Sequence, residues 1–391
     1  MTAAEVALVV AGLAVVAVAA VDLFLAVFNY DGFTFVADRY QRACWRLVVA
    51  LTSLVPGRAR RAARSLGSAG LLPATVALWL AAEISGFALA YRAALGAHQF
   101  SLAKGIGPTI GAAFYFSAGA ESTLTFGDLV GHSGLTRALV DLQAILGLAT
   151  FTLALGYVVT TFSVLDDLTS LHATVRRHAR HPGYPTSILA RHYRGGQPAE
   201  LTDLLQTLSE SLESYDEGLR RYPVVFYFHT RRPERSIPQV FTDLGELLAA
   251  VRWGLPAGDP MAADPWLVAL LEQYRTTIGR LQRSFVGPER TDAPRPADRE
   301  AFAAAYRRAS GQPAGDDAGV ADFVALQERT RQATGLAAPP DDDLDATYDR
   351  YVEWLAFDRR TATVLGRVAT SLGYGPPRLP AHPGQASVGT G

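Results

Sequence analysis

Residues 113–128 read AFYFSAGAESTLTFGD, a short aromatic, amphipathic segment that ends in Thr123-Leu124-Thr125-Phe126-Gly127-Asp128 and has long apolar stretches on both sides. Three windows of the 391-residue chain, 6–28, 71–91 and 135–165, are apolar for long enough to cross a bilayer, which takes about 20 residues. The quoted segment lies between the second and the third. It is too polar and Gly-rich to span, and suits a re-entrant loop shielded inside protein, because lipid tolerates no exposed irregular backbone.

The segment resembles the pore signature of tetrameric potassium channels, in which a tilted pore helix ends in a T-V-G-Y-G-D filter strand whose carbonyl oxygens replace the hydration shell of the ion. Laid on that pattern without a gap, Thr123 falls on the filter threonine, Leu124 on the valine, Phe126 on the tyrosine, Gly127 on the second glycine and Asp128 on the aspartate. Thr125 departs from the pattern, standing where the family has its first glycine. Glycine serves there because it adopts positive φ freely, and a β-branched residue resists that conformation. Either Thr125 is held in a strained backbone state, or the strand twists differently and the Thr125 hydroxyl faces the ion.

The resemblance implies that residues 71–91 are an outer helix, 108–122 a pore helix and 135–165 an inner helix, with K+ or Na+ in the filter and no other cofactor. It implies a homotetramer, since one strand supplies only a quarter of the coordinating ring. Asp128 at the outer mouth concentrates cations. Phe126 lacks the phenolic hydroxyl of the family's tyrosine, and Tyr115 on the pore helix is the candidate for a substitute. Gly147, 19 residues after Asp128, stands where many potassium channels carry a hinge glycine, although glycine also serves close helix packing. Gly156 is a weaker hinge candidate. Thr150, Thr160 and Thr161 either present hydroxyls to a cavity or bond back to their own helix. No span carries arginine at every third position, so no voltage-sensing helix is expected.

Arginine placement sets the expected orientation. Arg39, Arg42, Arg46, Arg58, Arg60, Arg61 and Arg64 all lie between the first and second windows, which puts that loop and everything after residue 165 in the cytoplasm and the amino terminus outside. Such arginines attract anionic headgroups at about 1 kcal/mol each. The amino-terminal window lacks the basic start of a signal peptide, carrying Glu5 instead, and is read as a retained span. Asp22 near its end either reaches the cytoplasmic headgroups or serves an ion path. Residues 40–55, with Trp45 and Arg46 and a stop at Pro56-Gly57, read as an amphipathic interfacial helix or a cytoplasmic core helix. Cys44 is the single cysteine, so no intrachain disulfide is expected; the net charge of −1 says nothing about partners, and no nucleic-acid partner is expected.

After Asp166 the chain reads as helical. The inner helix is expected to continue over 168–180 and to break at His181-Pro182-Gly183-Tyr184-Pro185. Amphipathic spacing predicts helices at 200–222, 237–253, 265–285, 299–309, 321–334 and 344–372. Only 224–229 has strand composition, which favours a bundle. Stretches 287–296 and 311–319 read as loops. Among other candidates, His172, His178, His181 and His192 sit amid arginines, which disfavour a metal. Asp341, Asp343 and Asp345 begin like a calcium loop, but Ala346 replaces its glycine and Val352 its last ligand, so a helix start is the better reading. No G-x-G-x-x-G, Walker A or nucleophile elbow occurs, and no enzyme is expected.

The expected architecture is an all-α membrane protein: 1–32 an extra N-terminal transmembrane helix, 33–68 a cytoplasmic basic loop with an interfacial helix, 69–166 a potassium-channel-like pore domain, 167–374 a cytoplasmic helical domain and 375–391 a disordered tail. The expected function is a non-voltage-gated cation channel of the plasma (inner) membrane, conducting K+ with a selectivity over Na+ that Thr125 leaves open. The alternative is a non-conducting membrane sensor or scaffold that keeps the pore fold. Thr125→Gly is expected to raise K+ over Na+ selectivity; reversal potentials in mixed salt that do not move would remove the strain argument.

Overall fold

A computed structural model describes residues 2–124, 127–179, 185–194, 197–287, 295–311, 318–336 and 344–377. Helix α1 (Ala3–Phe28) opens with a capping box, Thr2 Oγ1 accepting from the Glu5 N–H while Glu5 Oε2 accepts from the Thr2 N–H at 2.7 Å. Its buried stripe of Gly12, Val16, Ala19, Leu23 and Ala26 repeats every three or four residues and packs on α4 (Leu71–Gly96). The two backbones touch where Gly12 meets Gly86. A Cβ on Gly12 would stand 2.2 Å from the Gly86 carbonyl oxygen, and one on Gly86 2.5 Å from that of Gly12. Small residues give apolar helices the close approach that dispersion needs, since water does not drive them together in lipid.

Between α1 and α4 lie α2 (Ala37–Ser53) and α3 (Gly57–Ala69). The N-cap residue of α2, Val36, offers no side-chain cap, and Thr34 Oγ1 accepts only from the Asp38 N–H, at 3.0 Å. Asp22 of α1 supplies one: its carboxylate accepts from the backbone N–H groups of Phe35, Val36 and Ala37 at 2.7, 2.7 and 3.0 Å, and from Trp79 Nε1 at 2.9 Å. Fully buried Asp22 therefore neither reaches toward headgroups nor lines a path; its negative charge satisfies the orphan donors of a helix start. Gln41 ties α2 to Thr75 and Tyr157, both at 3.2 Å, and Trp45 is buried against Tyr227. The opposite face of α2 exposes Leu47, Leu51 and Leu54.

The segment from α4 to α6 (Gly134–His178) holds strand β1 (Phe100–Leu102), helix α5 (Ile110–Glu121) and strand β2 (Leu129–Gly131). The strands pair antiparallel, Phe100 with Gly131 and Leu102 with Leu129. Tyr91, Phe100 and Phe116 pack edge-on with centroids 5.0 to 5.9 Å apart, joining α4, β1 and α5 in one apolar cluster with Val16 and Leu139.

Contacts divide the chain into two units, Met1–Val164 with Gly218–Phe228, and Leu165–Glu217 with His229–Gly391. The first gathers the three segments expected before residue 166 and adds 218–228 from the expected cytoplasmic domain. Gly218 fits against Val164, where a Cβ would come within 2.6 Å of its methyl carbons, and Tyr222 packs on Tyr157. Residues 224–229, expected as a strand, instead begin with a 3-10 turn at Pro223–Tyr227. Pro223 presets its φ, and the β-branched and aromatic side chains that suggested a strand are simply buried.

The second unit is helical: α7 (Ser187–His192), α8 (Leu201–Arg221) up to Glu217, α9 (Ile237–Ala249), α10 (Pro265–Leu281), α11 (Arg299–Gly311), α12 (Ala318–Thr334) and α13 (Leu344–Ser371), with a two-residue ribbon of β3 (Tyr193–Arg194) and β4 (Gln197–Pro198). Leu201, Leu204, Leu205, Leu208 and Leu212 are all buried, as their spacing predicts. Most of the expected break at 181–185 and of the loops at 287–296 and 311–319, and nearly all of the tail, lie outside the described residues, as do His181, Asp341 and Asp343. Asp345 in the first turn of α13 joins Asp349 in pairing with Arg299.

Burial in α9 pushes Asp243 up to about 6 and Glu246 up to about 8. Arg329, 4.0 Å from Glu246, is beyond hydrogen-bond range and offsets the burial only in part. Glu246 thus keeps its proton in the fold where the unfolded chain has released it, so stability falls as pH rises from the ordinary 4.5 to about 8, by at most about 1.4 kcal/mol per pH unit. Thermal melting of the detergent-solubilised chain across that window is expected to show this fall and Glu246→Gln to flatten it; melting that rises with pH would contradict the assignment. Asp22→Asn is expected to remove about 2–4 kcal/mol from the first unit, because a side-chain amide turns a donor toward donors. Denaturant unfolding checks it.

Candidate functional site

The loop closed by β1 and β2 carries the residues singled out in the sequence. Helix α5 starts at Thr109, whose Oγ1 accepts from the Ala112 N–H at 3.1 Å. Its far end closes as a Schellman turn: the Thr123 N–H donates to the Ala120 carbonyl at 3.1 Å and the Leu124 N–H to that of Gly119 at 2.8 Å. That turn requires a left-handed residue, usually glycine, and here the residue is Thr123 with φ of 57°. A β-branched residue held so stores about 1–3 kcal/mol. Gly119 makes the return of the chain possible, because a Cβ there would lie 2.8 Å from the Leu124 carbonyl oxygen.

Thr123 and Leu124 are exposed beyond the end of α5, and Thr125 and Phe126 lie outside the described residues. Gly127 has φ of 78° with nothing near its Cβ position. The Asp128 carbonyl accepts from the Ala103 N–H at 2.8 Å, which extends the β1–β2 clasp, and its carboxylate accepts a hydrogen bond from the Tyr115 hydroxyl. Tyr115 thus ties α5 to the outgoing chain at Asp128.

Beneath α5 lies a polar layer that sequence reasoning missed. Ser117 Oγ donates to the Ile84 carbonyl of α4 at 2.8 Å. Gln143 Nε2 of α6 donates to Ser117 O, Ser117 Oγ and Glu121 Oε2 at 2.8 to 3.0 Å. Thr150 Oγ1 donates to Glu83 Oε1 of α4 at 2.9 Å. The carboxyl groups of Glu83 and Glu121 are in hydrogen-bonding contact. Glu83 and Gln143 have no exposed surface. A usable signal existed, since an acidic residue in the middle of an apolar window marks a partnered site.

Gly147 sits in the same layer, where a Cβ would come 2.6 Å from the Glu121 carbonyl oxygen; close packing accounts for its glycine without a bend. Gly156 has open space around it. Thr160 and Thr161 bond back to Gly156 and Tyr157 at 2.8 and 2.7 Å. An open cavity of about 410 Å³ runs beside the layer, lined by Glu121, Ser122, Thr123, Gly147 and Phe151 among others. On α6, Ile145, Leu148, Phe151, Leu155, Val159 and Phe162 form an exposed apolar stripe, which in water would be a liability and suits lipid or further protein.

Of the four histidines flagged by sequence, His178 and His192 meet, Nδ1 to Nε2 at 3.0 Å, while His172 faces Arg176 and Arg235. Among the described residues no three His, Cys, Asp or Glu side chains converge as a metal set would.

No family model matches the chain, and no solved structure does. Among curated proteins, an uncharacterized membrane protein, YdjJ, of Bacillus subtilis (strain 168) is 25% identical over 197 residues, which is 50% of this chain and 56% of the relative. The chain therefore spans little more than half the length of the curated relative it matches. Helix α1, the stretch Gly57–Gly96 and helix α6 are each long and apolar enough to cross a membrane. Together with that relative, they mark the chain as a predominantly helical membrane protein.

Proposed function

We propose that the chain is one subunit of a homotetrameric, non-voltage-gated cation channel of the potassium-channel pore type, with α4 as outer helix, α5 as pore helix, 123–127 as filter strand and α6 as inner helix. The observation that carries this reading is the end of α5. A short helix stops at a left-handed Thr123, the chain returns over Gly119, and Asp128 is tied back to Tyr115. This construction leaves Thr123 and Leu124 exposed at the helix C-terminus, where partial negative charge from the helix dipole favours a cation.

In the assembly, K+ or Na+ sheds water against oxygens contributed by Thr123, Leu124, Thr125 and Phe126 of four copies. Asp128 raises the local cation concentration at the outer mouth. The exposed stripe of α6 supplies apolar surface for packing between copies and against lipid. Gly147 brings α6 onto the backbone of Glu121, so that displacement of the inner helix is felt at the base of the loop. The amino terminus lies outside the plasma (inner) membrane, and the second unit is cytoplasmic. The arginines of α2 and α3 meet anionic headgroups there, beside the apolar face of Leu47, Leu51 and Leu54.

Purified protein reconstituted in liposomes tests the reading. A tetramer that passes thallium or potassium, with a reversal potential that follows the cation gradient, is expected. A homogeneous reconstituted protein that passes neither cation points instead to the sensor or scaffold that keeps the pore architecture.

A further inference from the structure

Three side chains in the layer under α5 each hold an oxygen that no donor among the described residues reaches: Glu83 Oε2, Glu121 Oε1 and Gln143 Oε1. Glu83 and Gln143 are fully buried and Glu121 is 8% exposed. Among the described residues no arginine, lysine or histidine forms an ion pair with either carboxyl. Among the described residues, the groups named as facing Glu83 and Tyr91 bring no positive charge. From α4 the Tyr91 hydroxyl faces Glu121, and from α6 Asp141 faces Tyr91; Gln143, Thr150 and Ser117 are neutral.

The donors that are present all serve the other oxygens. Thr150 donates to Glu83 Oε1 and Gln143 donates to Glu121 Oε2, so that in a pair of carboxyl groups that touch Glu83 Oε2 and Glu121 Oε1 are the oxygens left without a donor among the described residues. Two carboxylates in contact inside apolar protein repel strongly. One proton between them turns that repulsion into a charge-assisted O–H···O bond and satisfies both oxygens at once.

We propose that Glu83 and Glu121 form a proton-binding site, an acid and carboxylate pair that holds one proton between Glu83 Oε2 and Glu121 Oε1 and so fastens the base of α5 to α4. The site does not depend on whether the chain conducts ions. Its occupancy is read where Glu121 borders the cavity of about 410 Å³ beside Thr123. Loss of the proton releases Glu121 toward that space and loosens the Schellman turn two residues on. The rival occupant of the same oxygens is a monovalent cation.

The full-length protein in lipid nanodiscs provides the test. A hydrophobic carbodiimide, which reacts with protonated carboxyl groups in apolar surroundings, is expected to modify the wild-type chain at neutral pH, one adduct per chain, on Glu83 or Glu121 by mass spectrometry. Labelling should fall at least tenfold on going to strongly alkaline pH and should not change with sodium or potassium. Glu83→Gln retains an N–H donor toward Glu121 Oε1; it is expected to fold and to lose the alkaline loosening, read as cysteine-reagent access to Ser122→Cys. Absence of any adduct on either residue in the wild type overturns the proposal, as does labelling suppressed by sodium or potassium, which assigns the oxygens to a cation. Both outcomes are read on unmutated protein, and neither depends on ion flux.

Discussion

Irregular backbone between apolar helices survives only if its polar groups are answered within the protein, and the loop between α4 and α6 depends on how that demand is met. The β1–β2 pairing answers the chain on its way in and on its way out. Thr109 answers the start of α5 and the paired bonds from Thr123 and Leu124 answer its end. Thr123 and Leu124 stay exposed beyond α5, as does most of the run 103–109 before it. A loop with so few unanswered groups of its own at the clasp has little freedom to fold elsewhere.

The same economy recurs at the other helix end in this unit. Helix α2 has a single local cap, from Thr34, and takes the rest from Asp22, a residue on a different helix. Charge that would be expensive in lipid thus becomes a fastening between α1, α2 and Trp79 of α4. The acids under α5 follow another logic, since they meet each other rather than a row of N–H groups. Asp22 faces four N–H donors; Glu83 and Glu121 face two donors and one another.

Much of this was legible from the sequence. Apolar windows at 6–28, 71–91 and 135–165 correspond to α1, α4 and α6, and an aromatic segment followed by small residues marked α5 to within two residues at its start. Leucine spacing located α8, and similar patterns located α9 to α13. The misses share a cause. Glu83 and Thr150 are 67 residues apart, and no local periodicity encodes such a meeting. Strands of three residues are too short to show alternation, so β1 and β2 left no mark. At 224–229 the composition reported burial, not conformation, and only Pro223 distinguished the two. Thr123 was read for its position in a filter, whereas its left-handed backbone follows from closing α5 and needs the helix end in view.

The crossing of Gly12 and Gly86 carries a mechanical consequence. Backbones that touch at this point leave no side chain of Gly12 or Gly86 to give way between α1 and α4, which resists sliding of one helix on the other. Ile84, two residues from that crossing, receives the Ser117 hydroxyl of α5. A lateral load taken up by α1 from the surrounding leaflet therefore arrives at α5 with almost no slack, and the amino-terminal helix serves the loop as its lever arm.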